Sequence, residues 1–435
     1  MIRLLYNLLF PLGLLVFLPG YLVKMQRRGN YRRHFGQRFG FYSDAVRARL
    51  RENSYSWIHA VSVGEVGIAL KLALKLRELE PAFSCVLTTT TTTGFAFAEK
   101  EAPAWMVVLY NPLDFWPVVR RAFAVIRPRR ILLVEAEVWP NLAATARARG
   151  IPLALVNARL SARSERRFLQ LRRFIAPTFR CLDLVCAQER RDVERWASLG
   201  IPRSRIKETG SIKYDPTEAE SESVLPRRIL GLFSLEETRP ILFGGSTHAG
   251  EEEILADVFL RLRAEFPTLA LLLAPRHVER TSEIAERLQK MGLRVARRSA
   301  ATIQVVPAPD CLLLDTTGEL RTWYAAASVV FVGKSLTAHG GQNPVEPILA
   351  GKPVIFGPHM ENFSALAQAL LEEGAALRAA SAMELTECAA ELLRAPERRA
   401  EMVENAQRVL AVHRGATQRT AELVLSLQPG GDSGK

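Results

Sequence analysis

The stretch GKSLTAHGGQNPVEPILAGKPVIFGPH, from Gly333 to His359, decides the fold. An apolar strand precedes it, and the glycines lead into a short predicted helix at Pro344–Ala350, followed by a second apolar strand at Pro353–Phe356. Asn343 is predicted to cap that helix, with Pro344 in its first turn. A strand, a helix and a second strand in this order indicate one unit of a parallel α/β sheet.

The same alternation of apolar strands and amphipathic helices covers most of the chain. Short strands buried on both faces and separated by helices predict doubly wound parallel sheets. The pattern lapses at Tyr214–Pro226, YDPTEAESESVLP, which is acidic and has no apolar period. The predicted fold class is therefore α/β, with two Rossmann-like domains and a central cleft. The strands are predicted near Ser56–Val61, Ser84–Thr88, Met106–Leu109, Arg130–Val134, Pro152–Val156, Leu182–Ala187, Pro240–Phe243, Leu269–Ala274, Cys311–Leu314, Val329–Val332 and Pro353–Phe356.

Five segments are predicted. Residues 1–23 form an N-terminal membrane-anchor helix, 24–213 the first domain, 214–235 a linker, 236–410 the second domain, and 411–435 a C-terminal helix with a flexible tail. The last helix is free to pack on the first domain. The 435 residues suffice for two ordinary cores, and 48% hydrophobic against 24% charged residues is the balance of a folded protein.

The net charge of +13 favours anionic partners. The five cysteines are scattered and have no C-x-x-C spacing, which fits a reducing compartment and argues against a disulfide framework or a thiolate zinc site. The seven histidines show no metal-ligand spacing either, so no metal is predicted. No nucleic-acid-binding module is present in the sequence, and nucleic acid is not an expected partner.

The segment Leu4–Val23 is almost wholly apolar, and a helix of that length reaches about 30 Å, enough to cross a bilayer core. Basic residues follow it, which places the downstream chain in the cytoplasm and predicts contact with anionic membrane lipids. Two prolines, Pro11 and Pro19, also allow a kinked helix that lies in the interface. A cleaved signal peptide is the rival interpretation, but its charged start and cleavage site are not clear. The basic residues are Lys24, Arg27, Arg28, Arg32, Arg33, Arg38, Arg47, Arg49 and Arg51.

Three motifs of the first half follow strand ends. Glu65, in HAVSVGEV, opens a helix and is either a general base or a carboxylate that complements the helix dipole. The run TTTTTTG from Thr88 to Gly94 offers hydroxyls to a sugar or phosphate, or forms a helix cap. Glu135 and Glu137, in VEAEVWPN, share one face and are either functional or paired with arginines.

Two motifs of the second half also follow strand ends. Arg276, in LAPRH, suits a carboxylate or phosphate, or is a surface arginine. Gly340 and Gly341 allow backbone N–H groups to approach a ligand, and the following helix start suits a phosphate. Glu346 can accept hydrogen bonds from a ribose diol. The sequence has no Walker loop, G-x-S-x-G elbow or H-E-x-x-H motif.

Taken together, these motifs resemble those of the 3-deoxy-D-manno-octulosonic acid (Kdo) transferases of lipopolysaccharide synthesis. The resemblance extends over about Arg3 to Leu425. Its motifs, in order, are SVGE at Ser62–Glu65, the threonine run ending at Gly94, E-x-E-x-W-P-N at Glu135–Asn141, GSIKYD at Gly210–Asp215, APRH at Ala274–His277, GGQNPVEP at Gly340–Pro347 and FGPH at Phe356–His359.

The resemblance implies a GT-B fold, with an acceptor-binding first domain and a second domain that binds the nucleotide sugar. It implies CMP-Kdo as donor, a lipid A precursor as acceptor, inversion at the anomeric carbon, no cofactor and no metal. It also implies an enzyme at the cytoplasmic face of the inner membrane. Glu65 becomes the general base and Glu135 or Glu137 assists at the acceptor, with Glu135 preferred by position. The substrate-binding residues implied are Ser62, Gly64, Thr93, Glu137, Lys213, Arg276, His277, Gly340, Gly341, Asn343 and Glu346.

The sequence departs from the family pattern at a few positions. Lys334 stands where many members have glycine, and Gln342 where many have histidine. Ala136 and Val138 also differ from the residues often found there. The acidic and asparagine positions are intact. The alternative enzyme is another GT-B transferase or an epimerase that uses a UDP-sugar.

Overall fold

The computed structural model describes residues 2–27, 33–160, 162–215, 224–235, 239–300 and 308–427. The chain divides into two compact units. The first unit takes the residues up to Asp215 and those from His413 onward, and the second takes Pro216–Val412. The predicted linker, 214–235, lies partly outside the described residues, and its later part forms a helix at Val224–Leu232.

The first unit is built on a parallel sheet of seven strands within the described residues, in the order β3-β2-β1-β4-β5-β6-β7. Its strands are β1 Ser56–His59, β2 Cys85–Thr89, β3 Met106–Tyr110, β4 Arg130–Val134, β5 Leu153–Ala158, β6 Leu184–Ala187 and β7 Ile206–Glu208. Its helices are α1 Ile2–Arg27, α2 Asp44–Glu52, α3 Val63–Leu79, α4 Thr92–Glu101, α5 Trp116–Ile126, α6 Pro140–Ala148, α7 Ala162–Gln170, α8 Arg172–Phe179, α9 Arg190–Ser198 and, from the end of the chain, α18 Ala416–Leu425.

The second unit repeats this plan, with seven parallel strands among the residues described and the order β10-β11-β9-β8-β12-β13-β14. Its strands are β8 Ile241–Thr247, β9 Ala270–Pro275, β10 Val295–Arg297, β11 Cys311–Leu313, β12 Val329–Val332, β13 Val354–Phe356 and β14 Leu377–Arg378. Its helices are α10 Val224–Leu232, α11 Glu251–Leu262, α12 Thr281–Lys290, α13 Leu320–Trp323, α14 Val345–Leu349, α15 Ser364–Glu372, α16 Ala382–Arg394 and α17 Pro396–Ala411.

The predicted α/β class and all the central strands are confirmed. The strands that the sequence did not predict are β7, β10 and β14, which are two or three residues long and lie at sheet edges. Their residues are mostly exposed or half-buried, so no apolar run marks them. The C-terminal helical region divides into α16, α17 and α18. It breaks before Pro396, which cannot continue a helix, and at Gly415, which has a φ of 75°.

Each sheet has a topological switch point, which is the place where the order of its strands reverses direction. In the first sheet β1 pairs with β2 on one side and with β4 on the other. In the second sheet β8 pairs with β9 and β12 in the same way. The loops beyond the carboxyl ends of such a strand pair diverge to opposite faces, and open α/β sheets bind ligands there. Functional residues are therefore expected after β1, β4, β8 and β12.

The first unit has a hydrophobic cluster on each face of its sheet. Trp57 and Ile58, neighbours on β1, lie in different clusters because successive strand residues point to opposite faces. Helix α18 contributes Ala421 and Val424 to the cluster that also contains α3. The end of the chain is thus part of the core of the first unit.

Helix α1 docks on the first unit through one polar turn. The amides of Asn7 and Asn141 donate to each other over 2.9 Å, and the Asn7 carbonyl oxygen also accepts from the Trp116 N–H at 3.0 Å. The ring of Phe10 stacks on that of Phe115, with centroids 5.6 Å apart. Among the residues that the structure describes, no helix combines the length and the apolar composition needed to cross a membrane.

One of the basic residues predicted to contact membrane lipids, Arg38, is buried in the first unit. Arg38 is only 4% exposed; its guanidinium donates to the Thr90 carbonyl and lies over the Tyr110 ring. It holds the segment before α2 against the sheet and is not available to a lipid headgroup. Arg28 and Arg32 lie outside the described residues.

Candidate active site

The loop after β1 is held by the carboxylate of Glu65. Ser62 is the N-cap of α3 and Glu65 is its third residue, which is the S-x-x-E pattern of a capping box. The carboxylate accepts from the Val61 N–H and from the Ser62 hydroxyl, both at 2.9 Å. Burial raises the pKa of Glu65, although these hydrogen bonds oppose the increase. Burial therefore supplies the desolvation that a general base at a helix start requires.

The threonine run supports this loop from β2. The hydroxyls of Thr89 and Thr91 both donate to the Val61 carbonyl at 3.1 Å. Thr91 also caps α4, because its hydroxyl accepts from the Gly94 N–H. A Cβ on Gly94 would lie 2.7 Å from the Thr89 hydroxyl, so a larger residue would disturb the arrangement. The helix-cap interpretation is confirmed here, and Thr93, predicted to bind substrate, is exposed beside Thr91.

The loop after β4 places two more carboxylates near Glu65, and we call Glu65, Glu135 and Glu137 the carboxylate cluster. Burial and the nearby Glu65 raise the pKa of both Glu135 and Glu137. Glu135 has a φ of 64°, in the left-handed region that few residues other than glycine adopt. Such strain persists where the surrounding structure fixes the backbone, and it concentrates at functional sites.

Two cations face this cluster. Lys213 and Arg159 lower the pKa of Glu135, partly offsetting the effect of burial. Burial in turn lowers the pKa of Lys213, while Glu135 raises it. Arg159 was not predicted from the sequence, although its place one residue after β5 follows the rule that functional side chains lie at strand ends.

The GSIKYD segment fixes Lys213 through its neighbours. The side-chain oxygen of Asn157 accepts from the Ile212 N–H at 2.9 Å, and His413 accepts from the Ser211 N–H at 3.1 Å. The Asp215 carboxylate accepts from the N–H groups of Gly415 and Thr417, at the start of α18. The C-terminal helix therefore helps to position a residue of the candidate site.

In the second unit, a buried carboxylate organises the loop after β12. Glu251, at the start of α11, accepts from the N–H groups of Lys334, Ser335 and Leu336 at 2.7–3.0 Å. It also accepts from the His248 N–H at 2.8 Å, at the end of β8. One side chain thus joins the two loops at this switch point. Glu251 is not among the site residues predicted from the sequence.

In the glycine loop, residues 333–343, the N–H groups of both central glycines form hydrogen bonds within the protein. Gly340 and Gly341 have φ values of 118° and 69°. The Gly340 N–H donates to the Glu361 carboxylate, and the Gly341 N–H donates to the Lys334 carbonyl. These N–H groups, which the sequence suggested for ligand binding, are engaged within the protein. Lys334 has a φ of 59°, which explains why glycine suits that position.

Residues predicted to bind substrate meet beyond this loop. The Asn343 amide donates to the Glu346 carboxylate at 3.3 Å, and Arg276 is near enough to lower the pKa of Glu346, which burial raises. Arg321 also lowers the pKa of Glu346, and it is not among the residues predicted from the sequence. The helix begins one residue later than expected, at Val345, and Asn343 accepts from the Val345 N–H from outside it. Helix α14 has only five residues, so few aligned peptide dipoles support the phosphate site predicted at its start.

The remaining predicted residues have ordinary surroundings. The Ser62 hydroxyl is used by Glu65, and a Cβ on the exposed Gly64 would meet nothing closer than 4.0 Å. His277 lies 3.2 Å from Glu279, and its ring packs edge-on to that of His248.

Within the described ranges, one group of side chains is close enough together to hold a metal ion: His339, His359 and Glu361.

The arrangement supports proton transfer in one unit and anion binding in the other. The carboxylate cluster provides a partly buried base whose pKa is raised by burial, and Lys213 and Arg159 provide positive charge beside it. In the second unit, Arg276 and Arg321 offer positive charge next to the hydrogen-bonding pair Asn343 and Glu346.

Known proteins resemble the chain in sequence and fold. A family model described as 3-deoxy-D-manno-octulosonic-acid transferase (kdotransferase) matches residues 33–216. The 3-deoxy-D-manno-octulosonic acid transferase of Haemophilus influenzae is 35% identical over 91% of this chain and 91% of its own length. That of Bordetella pertussis is 40% identical over 84% of this chain and 86% of its own.

A solved structure agrees with the described architecture. The UDP-GlcNAc 2-epimerase from Neisseria meningitidis, bound to UDP-GlcNAc, aligns with a TM-score of 0.52 over 86% of this chain and 100% of its own. At 13% identity this likeness concerns the fold alone. The two parallel-sheet α/β units resemble the domains of GT-B glycosyltransferases.

Proposed function

Because the chain belongs to the 3-deoxy-D-manno-octulosonic acid transferase family, we propose that it transfers Kdo from CMP-Kdo to a lipid A precursor, with Glu65 as general base. Kdo transfer by a glycosyltransferase of lipopolysaccharide synthesis follows from the family. What we propose beyond the family is the identity of the general base, the acceptor and the residues that contact the donor. The observation that carries it is the carboxylate cluster at the switch point of the first sheet, with its raised pKa values.

The proposed step is a single displacement. The carboxylate of Glu65 takes the proton of an acceptor sugar hydroxyl while that oxygen forms a bond to the anomeric carbon of Kdo. The bond from that carbon to the phosphate oxygen breaks, and CMP leaves with the electron pair. Attack opposite the leaving group inverts the anomeric configuration. Burial of Glu65 supports this role because it raises the pKa, and a base is most effective when its pKa lies near the working pH.

The other groups of the first unit are assigned to the acceptor and the sugar. Glu135 accepts a hydrogen bond from the acceptor and fixes its orientation, with Lys213 and Arg159 moderating the repulsion among the carboxylates. The two cations also suit the negative charges of the substrates, since Kdo carries a carboxylate and the acceptor carries phosphates. Glu137, whose pKa burial also raises, is a second hydrogen-bonding group for the acceptor.

The donor is assigned to the second unit. Arg276 pairs with the phosphate of CMP, and Glu346 accepts from the ribose hydroxyls while Asn343 orients its carboxylate over 3.3 Å. Cations that meet the leaving phosphate stabilise the charge that develops on it, so this chemistry needs no metal. Arg321, which is near Glu346, adds to the same positive field.

Replacing Arg276 with alanine is expected to weaken CMP binding by about 10- to 100-fold, the loss of one hydrogen-bonded charge contact of about 1.5–3 kcal/mol. Isothermal titration of the full chain with CMP measures the change. Arg261→Ala is the control, because Arg261 is an exposed residue paired with Asp257 on α11. Equal CMP affinity in Arg276→Ala and the parent would remove Arg276 from the donor site.

The competing enzyme class uses UDP-sugars on the same fold. Incubation of the protein with CMP-Kdo and a lipid A precursor, followed by mass spectrometry of the lipid, should reveal a product heavier by one or more Kdo residues. Parallel incubations replace CMP-Kdo with UDP-GlcNAc. Turnover of UDP-GlcNAc, by transfer or by epimerisation, together with no lipid product from CMP-Kdo would reject the proposal in favour of the alternative.

Membrane attachment at the cytoplasmic face is a further part of the proposal. The support is the surface of α1, where Leu4, Leu8 and Leu15 are each about 70% exposed or more. Trp116 and Phe41 are also exposed on the first unit, with Arg120 and Arg121 over their rings. Aromatic rings and arginines beside exposed leucines are typical of surfaces that enter the headgroup region.

Replacing both Leu8 and Leu12 with serine is expected to weaken binding to vesicles of phosphatidylethanolamine and phosphatidylglycerol by at least about tenfold. Each buried leucine contributes about 1.5–3 kcal/mol. Vesicle flotation measures the bound fraction. Leu260→Ser, at an exposed leucine of α11, is the control and should bind as the parent does. Unchanged flotation of the double variant would exclude these leucines from lipid contact.

A further inference from the structure

Two histidines and a glutamate converge beside the glycine loop of the second unit. The Nδ1 atoms of His339 and His359 lie 3.1 Å and 3.4 Å from the same oxygen of Glu361, Oε1. The two imidazole rings are 4.0 Å apart between centroids and inclined by 57°. The three side chains are exposed or half-buried and therefore accessible from solvent. Neither Glu361 nor the histidine pair has a part in the proposed transfer.

These separations fit a tetrahedral zinc centre. Zn²⁺ bonds imidazole nitrogen and carboxylate oxygen at about 2.1 Å, so two ligands of a tetrahedral ion lie about 3.4 Å apart. The two nitrogen-to-oxygen distances are 3.1 Å and 3.4 Å, and a set of one ligand atom from each residue lies within 4.8 Å. The three ligand atoms are thus close to the separations that a tetrahedral ion requires.

The surrounding backbone holds the three residues in place. The second oxygen of Glu361, Oε2, accepts from the Gly340 N–H, which leaves Oε1 directed at the histidines. The His359 N–H donates to the Ser335 carbonyl, and the Asn362 N–H donates to the Gly340 carbonyl at 2.9 Å. A carboxylate ligand whose other oxygen is hydrogen-bonded is the outer-shell arrangement that zinc sites use.

We propose that His339, His359 and Glu361 bind one Zn²⁺ ion, with solvent at the fourth position. Two imidazoles and a carboxylate suit zinc, and three protein ligands with one open position make a common zinc coordination. A bound ion would link the glycine loop to the segment after β13. The histidines belong to separate loops that only the fold brings together, so their spacing in the sequence gives no metal motif.

The site is tested by titrating zinc into the full chain after removal of metals with a chelator. Isothermal titration calorimetry is expected to give one zinc ion per chain. Each of His339→Ala, His359→Ala and Glu361→Gln should lower the affinity by at least about tenfold. The matched control is His277→Ala, since His277 also lies 3.2 Å from a glutamate, Glu279, but outside the group formed by His339, His359 and Glu361; this variant should bind zinc as the parent does.

Two further measurements make the result specific. Cobalt in place of zinc should give the visible absorption of a four-coordinate site in the parent and lose it in the three ligand variants. Zinc should also raise the unfolding temperature of the parent, because a ligand that binds only the folded state stabilises it, and should not do so in the variants. Circular dichroism checks that each variant is folded. Absence of saturable zinc binding, or binding that survives all three substitutions, would overturn the proposal.

Discussion

The variant Glu65→Gln is expected to transfer Kdo about 100- to 10,000-fold more slowly than the parent, the usual contribution of a general base. Glutamine keeps an oxygen that can accept from the Val61 N–H, so the capping of α3 and the fold should persist. It cannot take a proton from the acceptor. Turnover with CMP-Kdo and a lipid A precursor, measured beside CMP affinity and thermal unfolding, separates chemistry from structure.

The control for this variant is Glu78→Gln, on the same helix, where an exposed carboxylate pairs with Lys75. It should retain the parent's turnover, because a surface pair contributes little. Glu65→Ala is the harsher companion, which loses both the base and the cap. If Glu65→Gln turns over at the parent's rate, Glu65 is a capping residue alone and the base lies elsewhere in the carboxylate cluster.

The pH profile gives an independent check. Burial raises the pKa of Glu65, so its carboxyl becomes protonated at a higher pH than an ordinary glutamate does. The rate of transfer should fall as the pH drops through that raised pKa, because the protonated form cannot act as base. The rate of the glutamine variant should not show this fall at low pH, while any pH dependence that comes from other groups should remain.

The variant Glu251→Ala is expected to cause the largest loss of stability, by more than about 3 kcal/mol, since each buried N–H left without a partner costs about 1–3 kcal/mol. Glu251 is fully buried and accepts from four backbone N–H groups, which belong to two loops. Alanine cannot replace any of them. Hydrogen exchange read by mass spectrometry should show lost protection at the amides of residues 334–336.

Local exchange is the proper measurement because a chain of two units need not unfold in one step. The control is Glu253→Ala, two residues along α11, where a partly exposed carboxylate pairs with Arg287. It should change stability by no more than about 1 kcal/mol. Parent-like protection of residues 334–336 in Glu251→Ala would show that water or a shifted side chain serves these N–H groups equally well.

Much of the fold was predictable because each central strand is apolar on both faces. The loops after those strands could then be selected as a group, which is how Glu65, Glu135 and Arg276 were found. The capping box is also visible in SVGE, where Glu65 stands three residues after Ser62. The start of α14 was placed one residue early, because Asn343 caps it from outside the helix.

Other site residues carry no local signal. Arg159 and Arg321 lie among the chain's 58 lysines and arginines, and only the folded structure distinguishes them by their effect on a buried carboxyl. Glu251 is one of three consecutive glutamates, and its burial depends on loops that are distant in sequence. Long-range contacts of this kind are properties of the tertiary fold, so spacing cannot reveal them.

The passage of the chain out of the first unit at Asp215 and back into it at His413 affects the order in which the two units can fold during synthesis. Helix α18 completes a core whose strands leave the ribosome much earlier, so that core stays open until the second unit has been synthesised. All the described strands of the second unit precede α18 in the chain, so this unit can fold before the core of the first unit is complete. Nascent chains usually fold from the N-terminal domain onward; here the later unit would complete its fold first, and chaperones would meet the incomplete core of the earlier one.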